Sequence, residues 1–220
     1  MSWTMPKGIE VTMPTQSQRF VLLDRDGVIN RRVMGGYVTS WGQFEFLPGA
    51  LEGLRLLAEH GYAALVISNQ ACVGKKLLTV SDLEMITHRF MMEVALAGGN
   101  IAQVYYCVHL VEERCSCRKP EPGLIHRAQL DYGFTPRDTF FIGDSPGDIA
   151  AAANAGCPSI FVRREAFLER READERSLPV ASNLYEAAEI VLERQRKVTA
   201  WLQSPSQPDG RLRSLHASHN

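Results

Sequence analysis

No run in these 220 residues approaches the roughly 18 consecutive apolar side chains of a membrane-spanning helix, so a membrane-embedded chain is not expected. Charge of one sign is also lacking. Lys and Arg number 24 against 25 Asp and Glu, a formal net charge of -1. Without a basic excess, neither nucleic acid nor an anionic membrane is the expected partner. The opening MSWTMPKGIEVTMPTQSQ has no continuous apolar stretch of the kind a secretory signal carries, which leads to the expectation of a cytoplasmic protein. There is no internal repeat. Cysteine is sparse, with five in all, yet Cys107, Cys115 and Cys117 fall within eleven residues. In a reducing compartment such a cluster points to metal rather than to disulfides.

What is present is an alternation. Short apolar runs, FVLLD (20–24), ALVIS (64–68), VYYCV (104–108), TFFIGD (139–144) and SIFVR (159–163), read as strands. Between them lie helical patterns: one opened by Pro48 and closed by Gly61, one capped near Thr79 or Ser81 and stopped at Gly98 and Gly99, one from about Pro122 to Tyr132, and one ending at Gly156. A last helix is expected from about Leu184 to Trp201. Near-continuous apolar strands separated by helices predict an α/β fold, a parallel sheet with helices on both faces. The organisation expected is a flexible segment over 1–18, one domain over 19–202, and a polar, disordered tail over 203–220.

In such a sheet the ligand crevice lies beyond the carboxyl ends of the strands. Asp24 and Asp26 follow the first strand, Ser68 and Asn69 the second, Lys119 the third, and Asp144 and Asp148 the fourth. Acids, a hydroxyl and a cation together suit Mg²⁺ and a phosphoryl group, because Mg²⁺ prefers hard oxygen ligands and a substrate phosphate. One carboxylate can attack phosphorus and a second can move protons. Lysine and serine would hold the phosphate oxygens as charge redistributes. Arg25, between the two acids, is expected to point away from the crevice by strand alternation. Arg31, Arg32, Lys75 and Lys76 are expected at solvated surface, with a second phosphate as their other possible partner.

Four segments in order, DRDG (24–27), Ser68, Lys119 and GDSPGD (143–148), resemble the four motifs of the haloacid dehalogenase superfamily of phosphohydrolases. The likeness spans about residues 19–163 and implies that superfamily's Rossmann-like fold. It implies Asp24 as nucleophile, Asp26 as general acid and base, and Ser68 and Lys119 as groups stabilising the phosphoryl. It places Mg²⁺ on Asp24, the backbone carbonyl of Asp26, and Asp144, with Asp148 supporting the metal from behind.

Residues 107–119, CVHLVEERCSCRK, set Cys107-x-His109 against Cys115-x-Cys117 across five residues. A Cys₃His set suits tetrahedral Zn²⁺, and four protein ligands leave no open position, so the expected role of this loop (107–117) is structural. Cys157 is expected to pack as a small hydrophobe. The zinc loop, GYV (36–38), FEFLPG (44–49), SNQ (68–70) and RKPEPG (118–123) resemble one subgroup of the superfamily, without a large cap, that holds heptose-bisphosphate and histidinol-phosphate phosphatases. That likeness implies a small phosphorylated metabolite as substrate and an enzyme of carbohydrate metabolism; with nothing in the sequence to suggest an obligate protein partner, a monomer is the default expectation. Arg118 would recognise substrate, and Gly36, Tyr37, Asn69, Gln70 and Ser145 would line its entrance. GYV and FEFLPG favour the heptose enzymes, and the five-residue gap between His109 and Cys115 favours the histidinol enzymes.

Overall fold

Six parallel strands and one antiparallel edge strand make a single sheet in the computed structural model, which describes residues 2–4, 18–163 and 178–203. The strands are β1 (Ser2–Thr4), β2 (Arg19–Leu23), β3 (Tyr62–Asn69), β4 (Ile101–Cys107), β5 (Phe141–Gly143), β6 (Ser159–Val162) and β7 (Val180–Ala181). The helices are α1 (Ala50–Glu59), the single turn α2 (Ala71–Gly74), α3 (Val80–Leu96), α4 (Gly123–Tyr132), α5 (Pro146–Ala155) and α6 (Leu184–Gln203). The spatial order is β1-β4-β3-β2-β5-β6-β7. All five expected strands and all five expected helices are present. Strand β1, the turn α2 and the two-residue β7 were not expected from the sequence pattern. The expectations for residues 5–17 and 204–220 fall outside the described residues.

Period-two alternation sorts the strand side chains into two cores. Val21, Leu23, Ala64, Val66, Val104 and Tyr106 face α1, α3 and α6. Leu22, Leu65, Ile67, Tyr105 and Cys107 face α4 and α5. Both faces are covered, so β3 is buried along all but its last residue, as a parallel sheet requires. Each buried Leu, Ile or Phe side chain contributes about 1.5–3 kcal/mol by leaving water. Cys157 packs in the second core, as expected.

Local signals set the helix ends. Thr79 Oγ accepts from the Asp82 N–H at 3.1 Å while Asp82 Oδ2 accepts from the Thr79 N–H at 3.3 Å. This reciprocal cap starts α3. Gly156 ends α5 with φ +76°, a backbone conformation that favours glycine.

Strand order decides where the site lies. From β2 the chain moves to β3 and β4 on one side, and β5, β6 and β7 lie on the other. The reversal leaves a crevice between the carboxyl ends of β2 and β5. Among the described residues no insertion large enough for a cap domain covers it; the segment from Asp24 to Gly49 holds only one 3-10 turn, Trp41–Gln43.

Helices α1 and α6 approach closely at Gly53, where a Cβ would lie 2.7 Å from the Leu184 backbone. Gly53→Ala is therefore expected to lower stability by about 1–3 kcal/mol through overpacking, measured as a reduced urea midpoint with an unchanged slope.

Candidate active site

Asp24 sits one residue past β2, Ser68 is the penultimate residue of β3, and Asp144 follows β5. Leu23 pairs with both Val66 and Ile142, so Asp24 and Asp144 follow neighbouring strands and Ser68, near the end of the longer β3, converges with them at the crevice. A cavity of about 590 Å³ opens there, walled by Asp24, Asp26, Ser68, Asn69, Arg118, Lys119, Ser145 and Asp148. Gly36 and Tyr37 line its mouth.

At its floor the Lys119 ammonium lies 2.8 Å from Asp24 Oδ1 and 2.6 Å from Asp148 Oδ1. It also donates to the Ile67 carbonyl at 2.7 Å. All three side chains are buried. Burial pushes Asp24 up to about 7, with Asp148 and Asp144 acting in the same direction against Lys119. Burial also pushes Asp148 up, but Lys119 and the hydrogen bonds from Ser145 outweigh it and hold the carboxyl below its ordinary value. One ammonium cannot fully compensate two buried carboxylates, and Asp24 carries the deficit. Asp148 Oδ2 accepts from the Asp144 N–H, the Ser145 N–H and the Ser145 hydroxyl at 3.2, 3.0 and 2.6 Å. It therefore caps α5 and braces Asp144 as well as holding Lys119.

Asp26 is held differently. The Arg25 guanidinium donates to both its oxygens at 3.0 Å, Asn30 Nδ2 at 2.8 Å and Gln70 Nε2 at 2.6 Å. Against burial, Arg25 and these donors hold Asp26 below its ordinary value. Arg25 does turn away from the crevice, onto the face of Phe44 and Tyr106, 6.0 and 5.8 Å from their ring centres. It is wholly buried, and Asp26 is its ion-pair partner. Sequence alternation gave its direction and missed this pairing.

The structure redistributes several expected substrate contacts. Gln70 is buried and bridges Asp26 and Ser68, donating to Ser68 Oγ at 3.0 Å; it does not line the cavity. Asn69 lines the cavity but clamps the Lys119 backbone, accepting its N–H and donating to its carbonyl, both at 3.1 Å. Lys75 stands 5.3 Å from the Tyr37 ring centre at the mouth.

Arg32 is the chief correction. Expected at solvated surface, it reaches into the acids: Nη2 lies 3.0 Å from Asp144 Oδ1 and 3.8 Å from Asp24 Oδ2, and Nε donates to the Asp26 carbonyl at 2.9 Å. Arg31 remains outside, paired with Glu45 at 2.9 Å. The position of the Arg-Arg pair just beyond DRDG, on the loop over the acids, was the available signal.

Carboxylate oxygens of Asp24, Asp144 and Asp148 lie within 4.8 Å of one another. This hard, anionic set fits Mg²⁺. Gly27 makes room for it: at φ +98°, a Cβ there would lie 1.8 Å from Asp144 Oδ2.

A second cluster joins Cys107, at the end of β4, to the loop behind Lys119. Cys107 Sγ is 3.6 Å from both His109 Nδ1 and Cys115 Sγ. Cys117 Sγ is 3.2 Å from His109 Nδ1, 3.5 Å from Cys107 Sγ and 3.4 Å from Cys115 Sγ. A tetrahedral zinc separates such ligand atoms by roughly 3.5–3.8 Å, so the soft Cys₃His set fits Zn²⁺. Burial and the neighbouring thiols push Cys117 up, so metal binding there must displace protons.

Fold, cavity and acids together define a hydrolase of the haloacid dehalogenase (HAD) type. The HAD-hydrolase-like family model matches residues 116–187. A D-glycero-alpha-D-manno-heptose-1,7-bisphosphate 7-phosphatase from Mycobacterium tuberculosis is 39% identical over 150 residues, covering 64% of this chain and 77% of that protein. A D-glycero-beta-D-manno-heptose-1,7-bisphosphate 7-phosphatase from Helicobacter pylori is 36% identical, covering 63% of this chain and 80% of the relative. A crystal structure of D,D-heptose 1,7-bisphosphate phosphatase from B. bronchiseptica, complexed with magnesium and phosphate, superposes with a TM-score of 0.75 at 27% identity, covering 80% of this chain and 99% of that one. The chain belongs to the phosphatases of the haloacid dehalogenase superfamily. Among the described residues no helix is long and apolar enough to cross a membrane.

Two outcomes test this geometry. Asp24 is raised from 3.8 to about 7, so in magnesium-free buffer the fold binds a proton there that the unfolded chain releases. Its contribution to stability is complete at low pH and is lost as pH rises through about 7. The melting temperature of Asp24→Asn relative to wild type should therefore climb between about pH 4 and 7 and level off above that; a constant difference would contradict the shift. Cys117→Ser should reduce bound zinc from about one per chain to a small fraction and lower the melting temperature, read by elemental analysis and calorimetry.

Proposed function

We propose that this chain is a Mg²⁺-dependent phosphomonoesterase working through an aspartyl-phosphate, with heptose 1,7-bisphosphate as substrate. The observation that carries it is Asp24, ion-paired to a buried lysine on the floor of an open cavity, with Asp144 and Asp148 beside it. Asp24 attacks phosphorus, the bond from phosphorus to the sugar oxygen breaks, and Asp26 delivers a proton to that oxygen. Water then attacks the aspartyl-phosphate, its proton passes to Asp26, and Asp24 is regenerated with release of phosphate. Lys119 fixes the attacking carboxylate, and Lys119 and Ser68 hold the phosphoryl oxygens. Mg²⁺, when bound to Asp24, Asp144 and the Asp26 carbonyl, supplies charge that offsets the phosphoryl negative charge in the transition state.

Asp26 is ionised in the resting arrangement, which suits the base role. Its acid role calls for a proton. An arriving phosphate dianion supplies negative charge nearby, which raises a carboxyl pKa and favours that uptake. The Cys₃His loop holds zinc structurally and aims Arg118 and Lys119 into the cavity. The 7-phosphate would lie over Asp24. Arg118 and Lys75, on the cavity wall, would meet the rest of the bisphosphate. Heptose bisphosphate is favoured by the similarity to the two relatives named above, which differ in anomer. Histidinol phosphate is the alternative, supported by the five residues between His109 and Cys115. We further propose that the enzyme is a cytoplasmic monomer.

Phosphate release is the test. With Mg²⁺ added and zinc retained, kcat/KM should be highest for heptose 1,7-bisphosphate over histidinol phosphate, other sugar phosphates and a 3′-phosphorylated oligonucleotide. Preference for histidinol phosphate would transfer the assignment to the alternative. Asp24→Asn should lower kcat by at least about 10³-fold with its circular dichroism spectrum retained; full activity in that variant would remove Asp24 as nucleophile.

A further inference from the structure

Arg32 contacts three oxygens: Asp144 Oδ1 at 3.0 Å, the Asp26 carbonyl at 2.9 Å and Asp24 Oδ2 at 3.8 Å. These come from the three groups to which the proposed Mg²⁺ is assigned. We infer that Arg32 is a built-in counter-ion of the metal centre, occupying the cation position when the divalent ion is away and yielding it when the ion binds. The inference rests on the metal-dependent chemistry proposed above and adds a residue that sets the affinity of its metal.

Charge supports exchange. When all three acids are ionised, Lys119 and Arg32 face the carboxylates of Asp24, Asp144 and Asp148 with two positive charges against three negative. With Arg32 withdrawn, one cation faces three carboxylates, a deficit of two charges that a divalent ion matches. A guanidinium and a divalent ion gathered on the same three groups would stand side by side as like charges, and that repulsion opposes their joint occupancy. Arg32 thus protects the buried acids from mutual repulsion in the metal-free protein, at the cost of weaker metal binding.

The loop permits the movement. The Arg32 side chain is 37% exposed, while the Asp24 and Asp144 side chains beside it are 6% and 0% exposed. It enters from the rim, ahead of the exposed residues Val33 and Met34. Gly35 and Gly36 follow, Gly35 with φ +68°. The guanidinium can therefore withdraw to the cavity mouth without unpacking a core residue, whereas Lys119, buried on the floor, cannot.

Competition of this kind lowers apparent metal affinity by the fraction of molecules in which the site is free. If Arg32 holds the site in about nine of ten molecules, removing it tightens metal binding about tenfold. The measurement is Mn²⁺ binding by electron paramagnetic resonance, without substrate and with zinc retained, on wild type, Arg32→Met and Arg32→Lys. We expect Arg32→Met to bind Mn²⁺ about tenfold more tightly and Arg32→Lys to fall between. Metal-free Arg32→Met should melt below metal-free wild type and gain more from added Mg²⁺. A purely shaping role for Arg32 would instead weaken Mn²⁺ binding on its removal, and equal or weaker binding in Arg32→Met overturns the inference while leaving the phosphatase assignment intact. Failure of all three proteins to bind Mn²⁺ overturns both. Should Arg32→Met not fold, Arg32→Lys decides alone: severalfold tightening supports the inference and none overturns it.

Discussion

The site depends on one buried ammonium. Lys119 lies within 2.8 Å of Asp24 and 2.6 Å of Asp148, and two carboxylates so placed would repel and take up protons without it. Water relieves little of the charge, because all three side chains are almost wholly buried beneath the cavity. The lysine therefore holds the β2 and α5 ends of the crevice together. Its own position is secured by the Ile67 carbonyl and by the paired Asn69 contacts to its backbone.

This makes the cysteine loop more than a decoration of the fold. Cys117 is two residues before Lys119, and Cys107 is the last residue of β4. A metal closing these cysteines with His109 would tie the lysine segment to the sheet. Loss of that tie would reach the acids through Lys119. A metal on the cysteines would thus be linked mechanically to Lys119 and the acids it pairs with, over a stretch whose element of regular structure is the 3-10 turn Val111–Glu113.

A second ion pair, Arg25 with Asp26, shows how the fold separates two carboxylates one residue apart. Asp24 faces Lys119, and Asp26 faces an arginine packed between aromatic rings on the other side of the sheet. Their environments push them in opposite directions, Asp24 up and Asp26 down. Such divergence gives two neighbouring acids different protonation states; in the metal-free protein its sense favours a protonated Asp24 and an ionised Asp26, and positive charge brought close to Asp24 would lower it and release that proton. A buried pair of this sort contributes little net stability; its use here is to fix which way Asp26 points.

The sequence by itself determined five of the strands, five of the helices, the parallel sheet and the acids, lysine and cysteines at their ends. These are written in short-range pattern: apolar runs of strand length, caps such as Thr79 and Asp82, glycines such as Gly156, and motif residues placed directly after strands. Only the tertiary structure decided what faces what. That Arg32 enters the acid cluster while Arg31 pairs with Glu45 depends on how the loop after β2 folds back across Asp144, 112 residues away in the chain. That Gln70 turns inward to Asp26 and Ser68 depends on its burial beside α2. Neighbouring residues of one type differ in environment only once distant segments meet, and local periodicity carries no record of that meeting.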